Sequence, residues 1–190
     1  MSYSFKGRVR YSEIGEDGCL TLPGIQNYYQ DCCTFQSENI GQGMEALEER
    51  QRAWVLSSWQ IVVNRYPGLG ETIVASTAPY GFKGFLGMRN FTLKTEDGEL
   101  LSYANSIWTN IDTKTGLPAR LTDEDTRGYE LDEKLEMDYA PRRLPFRKGW
   151  KLRSLLQYRN IIWTPITMLI IVSIFAWGQT ICQKALKSAR

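Results

Sequence analysis
The chain has 190 residues, 43% of them hydrophobic and 23% charged, enough for one real core plus an appendage. It contains no histidine, which removes imidazole acid–base chemistry and most zinc chemistry, so no catalytic residue, metal ligand or cofactor is expected in the chain as written. The net charge of +2 hides a division: residues 1–138 hold 13 Lys/Arg against 21 Asp/Glu, whereas residues 139–190 hold 10 Lys/Arg and no acid, and the net-acidic first part offers no basic stripe for nucleic acid.

From the N-terminus, Tyr3, Phe5, Gly7, Val9 and Tyr11 alternate with Ser4, Lys6, Arg8 and Arg10, the period of a half-buried strand. Glu16-Asp17-Gly18 turns the chain into Gly24–Gly41. There Ile25, Tyr28, Tyr29, Cys32 and Cys33 repeat at i, i+3, i+4, i+7 and i+8, which is one broad stripe of a helix. Pro23 suits its first turn, and Gly41 with Gly43 ends it. The adjacent cysteines inside that helix are no disulfide framework. With no signal peptide at the N-terminus, a cytoplasmic protein is expected.

Met44–Arg52 reads as a short surface helix carrying Glu45, Glu48 and Glu49. Trp54–Arg65 and Thr72–Tyr80 read as strands, with Gly81, Gly84 and Gly87 marking a bulge or bend after the second. Met88–Thr95 and Leu100–Ile111 flank Asp97-Gly98, the strongest hairpin signal in the chain. Thr113–Pro118 is a turn, and Leu121–Asp138 is acidic and expected to be helical in part. One strand, one long helix and four long antiparallel strands predict an α+β fold in which a twisted sheet curls round the helix, another α+β sandwich being the alternative.

Three segments, YSFKGRVRYSEIGEDGCLTLPGIQNYYQD, WVLSSWQIVVNRYPGLGETI and RNFTLKTEDGELLSYANSIWTNIDTKTGLPARL, resemble the N-terminal hot-dog domain of the acyl-ACP thioesterases. In the last of them Trp108, Ile111-Asp112, Thr115-Gly116, Pro118 and Arg120 fall where that family has such a motif. The resemblance implies a hot-dog domain over residues 1–140 that holds an acyl chain delivered by acyl carrier protein. It also implies a partner, either a second hot-dog domain or another copy of this chain. The family's catalytic Asp, Asn and His lie in the second domain, in a pattern like D-x-N-x-H-V-N-N, which is absent here.

After a basic linker, 141–160, comes the hydrophobic segment 161–178 and then a basic tail, 179–190. Residues Ile161–Trp177 carry no charge, with Arg159 before and Lys184 after, which just meets the ~17–25 residues that span a bilayer. On this reading the chain is a single-pass membrane protein, and it meets a membrane only in this way. A second reading is a slipped reading frame. Synonymous codons for Ile161–Gly178, read from the third base of the first, encode HLDTNHHVNNCQYIRMG, which contains the missing pattern in its expected place. Two bases of each shifted codon are nearly fixed by the residues present, so the match leaves little freedom. A shift near residues 145–155 also accounts for the absent histidine, the absent acids and the abrupt change of charge.

Tyr28, Tyr29, Cys32, Trp54 and Trp59 are candidates to line an acyl-chain pocket between helix and sheet. Plain core packing is the competing reading for each, since aromatics dominate burial and a thiol without a base is a poor nucleophile. Asp112 with Thr115-Gly116 reads as turn chemistry. The Arg142–Arg159 cluster would steer an acidic carrier protein or anionic lipid.

Overall fold
A computed structural model describes residues 3–140 and 172–173. Strand β1 (Tyr3–Arg8) is followed by helix α1 (Leu22–Asn39), the short helix α2 (Met44–Glu49), and the strands β2 (Arg52–Val63), β3 (Thr72–Lys83), β4 (Leu86–Thr95) and β5 (Leu100–Asp112). A single helical turn, α3 (Asp123–Thr126), comes next. The five long strands form one antiparallel sheet in the order β1-β3-β4-β5-β2. Its inner face wraps α1, as the sequence predicts.

Helix α1 starts where Thr21 Oγ1 accepts a hydrogen bond from Gly24 N at 3.2 Å, with Pro23 in the first turn. It stops at Gly41, whose φ of +71° lets Gln42 N reach Ser37 O at 2.8 Å and Gly41 N reach Glu38 O at 3.1 Å. Ile25, Tyr28, Tyr29, Cys32 and Cys33 are all buried, and Gln36 extends their stripe by one turn. Across from them lie Leu56, Trp59, Ile61, Ile73, Ala75, Phe91, Leu93 and Ala104. Gly7 lies on β1 because a Cβ there would stand 2.7 Å from the Tyr28 ring.

The Asp97-Gly98 hairpin forms as expected, Gly98 taking a φ of +93°. The bulge foreseen near Gly81 falls inside β3, between Pro79 and Gly81, and β3 runs on to Lys83. Two elements are shorter than their patterns suggest. Helix α2 ends at Glu49 because Gln51 takes a φ of +55° and Arg52 already pairs with Asp112. Residues 121–138 hold only α3, which is capped by Thr122 and Asp125; the segment beyond runs over the outer face of the sheet. There Asn90 Oδ1 accepts from Leu135 N at 3.1 Å and from the Tyr139 hydroxyl at 3.0 Å, and Gln60 Oε1 accepts from Ala140 N at 2.7 Å.

The hydrophobic segment 161–178 lies outside the described residues except for Val172 and Ser173. These two form a strand, β6, parallel to Trp59–Gln60 on the outer edge of β2. Among the described residues no helix is long and apolar enough to cross a membrane. The Arg142–Arg159 cluster also lies outside them.

Candidate functional site
The site is built on the inner face of the sheet, where the two-residue period of each strand decides which side chains meet the helix. On β5, Ser102, Ala104, Ser106, Trp108 and Asn110 share that face. The Tyr29 hydroxyl donates to Ser102 Oγ at 2.9 Å, and Trp108 Nε1 donates to Ser106 Oγ at 2.7 Å. Tyr29 lies 5.0 Å from Phe91 and 5.9 Å from Trp59, ring centre to ring centre, and Trp59 lies 6.5 Å from Trp108 edge to face. This aromatic row fills the centre of the chamber. A second row continues beyond the C-terminal end of α1: Trp54 to Phe82 at 6.3 Å, then Phe82 to Tyr129 at 5.7 Å. Gly87 makes room for it, since a Cβ there would lie 3.1 Å from the Trp54 ring.

Of the five predicted pocket residues, Tyr28, Tyr29, Cys32 and Trp59 lie in the packed core, and Trp54 is half-buried at the end of β2. Burial pushes the Cys32 thiol up to about 12, with Cys33 beside it acting in the same direction. Cys33 is raised by burial too. Both thiols therefore stay protonated near neutral pH, and both donate to backbone carbonyls, Cys32 to Ala75 O and Cys33 to Gln30 O. Asp112 is turn chemistry: its Oδ1 accepts from Thr115 N at 2.8 Å and Lys114 N at 2.9 Å, hydrogen bonds that hold its carboxyl below the usual range. Glu45, Glu48 and Glu49 are exposed on α2. The described residues contain no group of three or more His, Cys, Asp or Glu placed to hold a metal.

Tyr28 ties α1 to the start of the chain, its hydroxyl donating to Glu13 Oε2 at 2.8 Å and lying 3.1 Å from Arg8 O. Burial, reinforced by the Glu13 carboxylate, pushes its pKa up to about 12, and burial does the same for Tyr80. Both phenols are bound neutral in the fold and ionise first in the unfolded chain. Their contribution to stability is complete below pH ~10 and is lost as pH rises toward 12. Urea midpoints measured from pH 8 to 11.5 should be flat to about pH 9.5 and fall above it, and Tyr28→Phe should flatten that fall.

Two inward groups escaped the sequence reading. Arg89 on β4 is 8% exposed, and its Nη1 donates to Gln36 Oε1 and, at 3.2 Å, to Thr77 Oγ1. Its guanidinium carbon sits 5.5 Å from the centre of the Tyr129 ring, whose hydroxyl is hydrogen-bonded to Ser37 Oγ at 2.7 Å. The signal was present, since Arg89 shares its parity with Phe91 and Leu93. Asn110 is fully buried, and neither atom of its carboxamide has a hydrogen-bond partner among the described residues.

With this geometry in view, the comparisons decide the family. The family profile described as the acyl-ACP thioesterase N-terminal domain matches residues 1–129. The chain belongs to the acyl-ACP thioesterase family. It is 28% identical over 148 residues to a chloroplastic acyl-[acyl-carrier-protein] hydrolase of Cuphea viscosissima, covering 72% of this chain and 36% of that one. It is 32% identical over 135 residues to a second such hydrolase of the same plant, covering 67% and 30%. The chain thus spans about a third of the length of these curated relatives. Among solved structures, an acyl-ACP thioesterase from Bacteroides thetaiotaomicron superposes with a TM-score of 0.68 at 24% identity, over 74% of this chain and 57% of that one. The 12:0-ACP thioesterase of Umbellularia californica superposes with a TM-score of 0.60 at 20% identity, over 66% and 48%. These likenesses identify the hot-dog fold of the present domain.

Proposed function
We propose that residues 1–140 are the acyl-holding half of an acyl-ACP thioesterase, an enzyme that hydrolyses the thioester of fatty acyl carrier protein to the free acid. The observation that carries this reading is the family match over residues 1–129, joined to the rows of aromatic side chains packed between α1 and the sheet. Trp54 and Trp59 line the room for the chain, with Tyr28, Tyr29 and Cys32 backing it. The catalytic half is a second hot-dog domain, lost from this polypeptide where the reading frame slips near residues 145–155. Strand β2 is where that domain pairs: among the described residues its outer edge meets only the two residues of β6, and the chain leaves the domain there through Gln60 and Ala140. The buried thiols of Cys32 and Cys33, adjacent on α1 and outside any disulfide, suit a reducing compartment such as the cytoplasm.

Sequencing the gene across codons 140–165 tests the frame, and a genome continuous with the present tail overturns the slip. Titration of the purified chain with dodecanoyl-ACP and with apo carrier protein tests the acyl-holding role. The acylated form should bind at least tenfold more tightly, and equal binding of the two would count against a chamber for the chain.

A second reading rests on the hydrophobic segment itself, 161–178, as an authentic anchor for a non-enzymatic acyl-binding module. Membrane partition of the expressed chain that is lost on deleting Ile161–Trp177 would favour it.

A further inference from the structure
The buried guanidinium of Arg89 has no acidic partner among the described residues. All 21 Asp and Glu residues lie between positions 13 and 138, inside the described region, and none is within ion-pair distance of Arg89. Three other arginines make the contrast clear. Arg50 faces Asp125 at 3.9 Å, Arg52 pairs with Asp112 at 3.1 Å, and Arg65 is forked between Glu71 and Glu99 at 2.7 Å each. A desolvated cation left without a counter-ion is costly, which singles Arg89 out.

Arginine offers five N–H donors. The two on Nη1 meet Gln36 and Thr77, while Nε and Nη2, with three more, donate to no described residue. Arg89 keeps 8% of its surface exposed. Gln36 and Thr77 hold one edge of its guanidinium in place, while the described residues offer the other edge no acceptor. The guanidinium carbon lies 5.5 Å from the centre of the Tyr129 ring, from which Phe82 and Trp54 continue an apolar row at steps of 5.7 and 6.3 Å. A fork with a free edge is built for an oxyanion, and a neighbouring aromatic wall is built for an aliphatic chain.

We propose that Arg89, held by Gln36 and Thr77 and stacked on Tyr129, binds the carboxylate of a free long-chain fatty acid whose chain runs along Phe82 and Trp54. The proposal rests on the acyl-holding reading but adds a head-group site to it, so that the domain takes the released acid as well as the thioester-linked chain. The carboxylate supplies the counter-ion that the described residues lack, and the aromatic row distinguishes a fatty acid from a small anion.

The test uses the purified 190-residue chain and calorimetric or fluorescence-displacement titration with dodecanoate, dodecanol, acetate and inorganic phosphate. Dodecanoate should bind at least tenfold more tightly than dodecanol, and acetate and phosphate at least a hundredfold more weakly than dodecanoate. Arg89→Gln should abolish the preference for dodecanoate while leaving dodecanol binding unchanged, and Arg89→Lys should retain part of it. Dodecanol binding and the thermal midpoint report whether each variant is folded, and the head-group comparison in the unmodified chain stands without any variant. Equal binding of dodecanoate and dodecanol overturns the Arg89 site while leaving the acyl chamber intact. Binding of neither overturns both readings. Phosphate binding as tight as dodecanoate shows a general anion niche and overturns the fatty-acid assignment.

Discussion

The 190-residue chain is expected to leave dodecanoyl-ACP intact, whereas a protein made from the same gene with the frame restored near codon 150 should release free fatty acid. The difference should be at least a thousandfold in the rate of thiol release. The reasoning is chemical. Thioester hydrolysis needs a group that activates the attacking water or nucleophile, and positioned donors for the developing oxyanion; general base catalysis alone is worth ~10²–10⁴-fold, and one oxyanion donor ~10²–10³-fold. The present chain has no histidine, its two helix cysteines are protonated and enclosed, and its inward carboxamide, Asn110, stands without a base. On the slipped-frame proposal, the restored frame would supply Asp, Asn and His together in HLDTNHHVNN. Fatty acid release by the unaltered chain above the uncatalysed rate would refute the assignment of catalysis to the missing half. Inactivity of the restored protein would remove the slipped frame as its cause.

Replacing Tyr29 by alanine should cost the domain about 4 kcal/mol, the second large effect. The ring is fully buried, stacks between Phe91 and Trp59, and joins α1 to two strands through one hydrogen-bond relay: its hydroxyl donates to Ser102 Oγ, which donates in turn to Val62 O, both at 2.9 Å. Truncation removes the aromatic contacts and opens a cavity in the middle of the chamber, a change of ~3–5 kcal/mol for a large aromatic. Against a domain stability of ~5–15 kcal/mol, that is enough to leave a large unfolded fraction at 37 °C. Tyr29→Phe keeps the ring and should cost only ~1 kcal/mol, because Ser102 keeps its bond to Val62. Urea unfolding followed by tryptophan fluorescence measures both. A loss below 2 kcal/mol for the alanine variant would show that the helix is held elsewhere.

The parts of the fold that were legible in the sequence are those in which local pattern and tertiary role agree. The stripe from Ile25 to Cys33 is buried because a helix enclosed by a sheet needs a wide apolar face, and Asp97-Gly98 turns because glycine takes a φ of +93° without strain. What was illegible depended on distant partners. Residues 121–138 look helical by composition, but beyond α3 the stretch is irregular and is moored to Asn90 and Gln60, and no local pattern encodes those bonds. Arg89 shares the inward parity of Phe91 and Leu93, but no local pattern shows that Gln36, fifty-three positions away, receives its charge. Trp54 and Tyr29 look alike as sequence, yet one is half-buried near the end of its strand and the other fully enclosed.

The strap of residues 132–140 across the back of the sheet also limits how the domain can assemble. With Leu135 and Tyr139 moored to Asn90, and Ala140 to Gln60, the back of β4, β5 and β2 is already clothed by the protein's own backbone. A partner stacking sheet upon sheet there would first have to peel that belt away, whereas one extending the sheet sideways beyond β2 leaves it undisturbed.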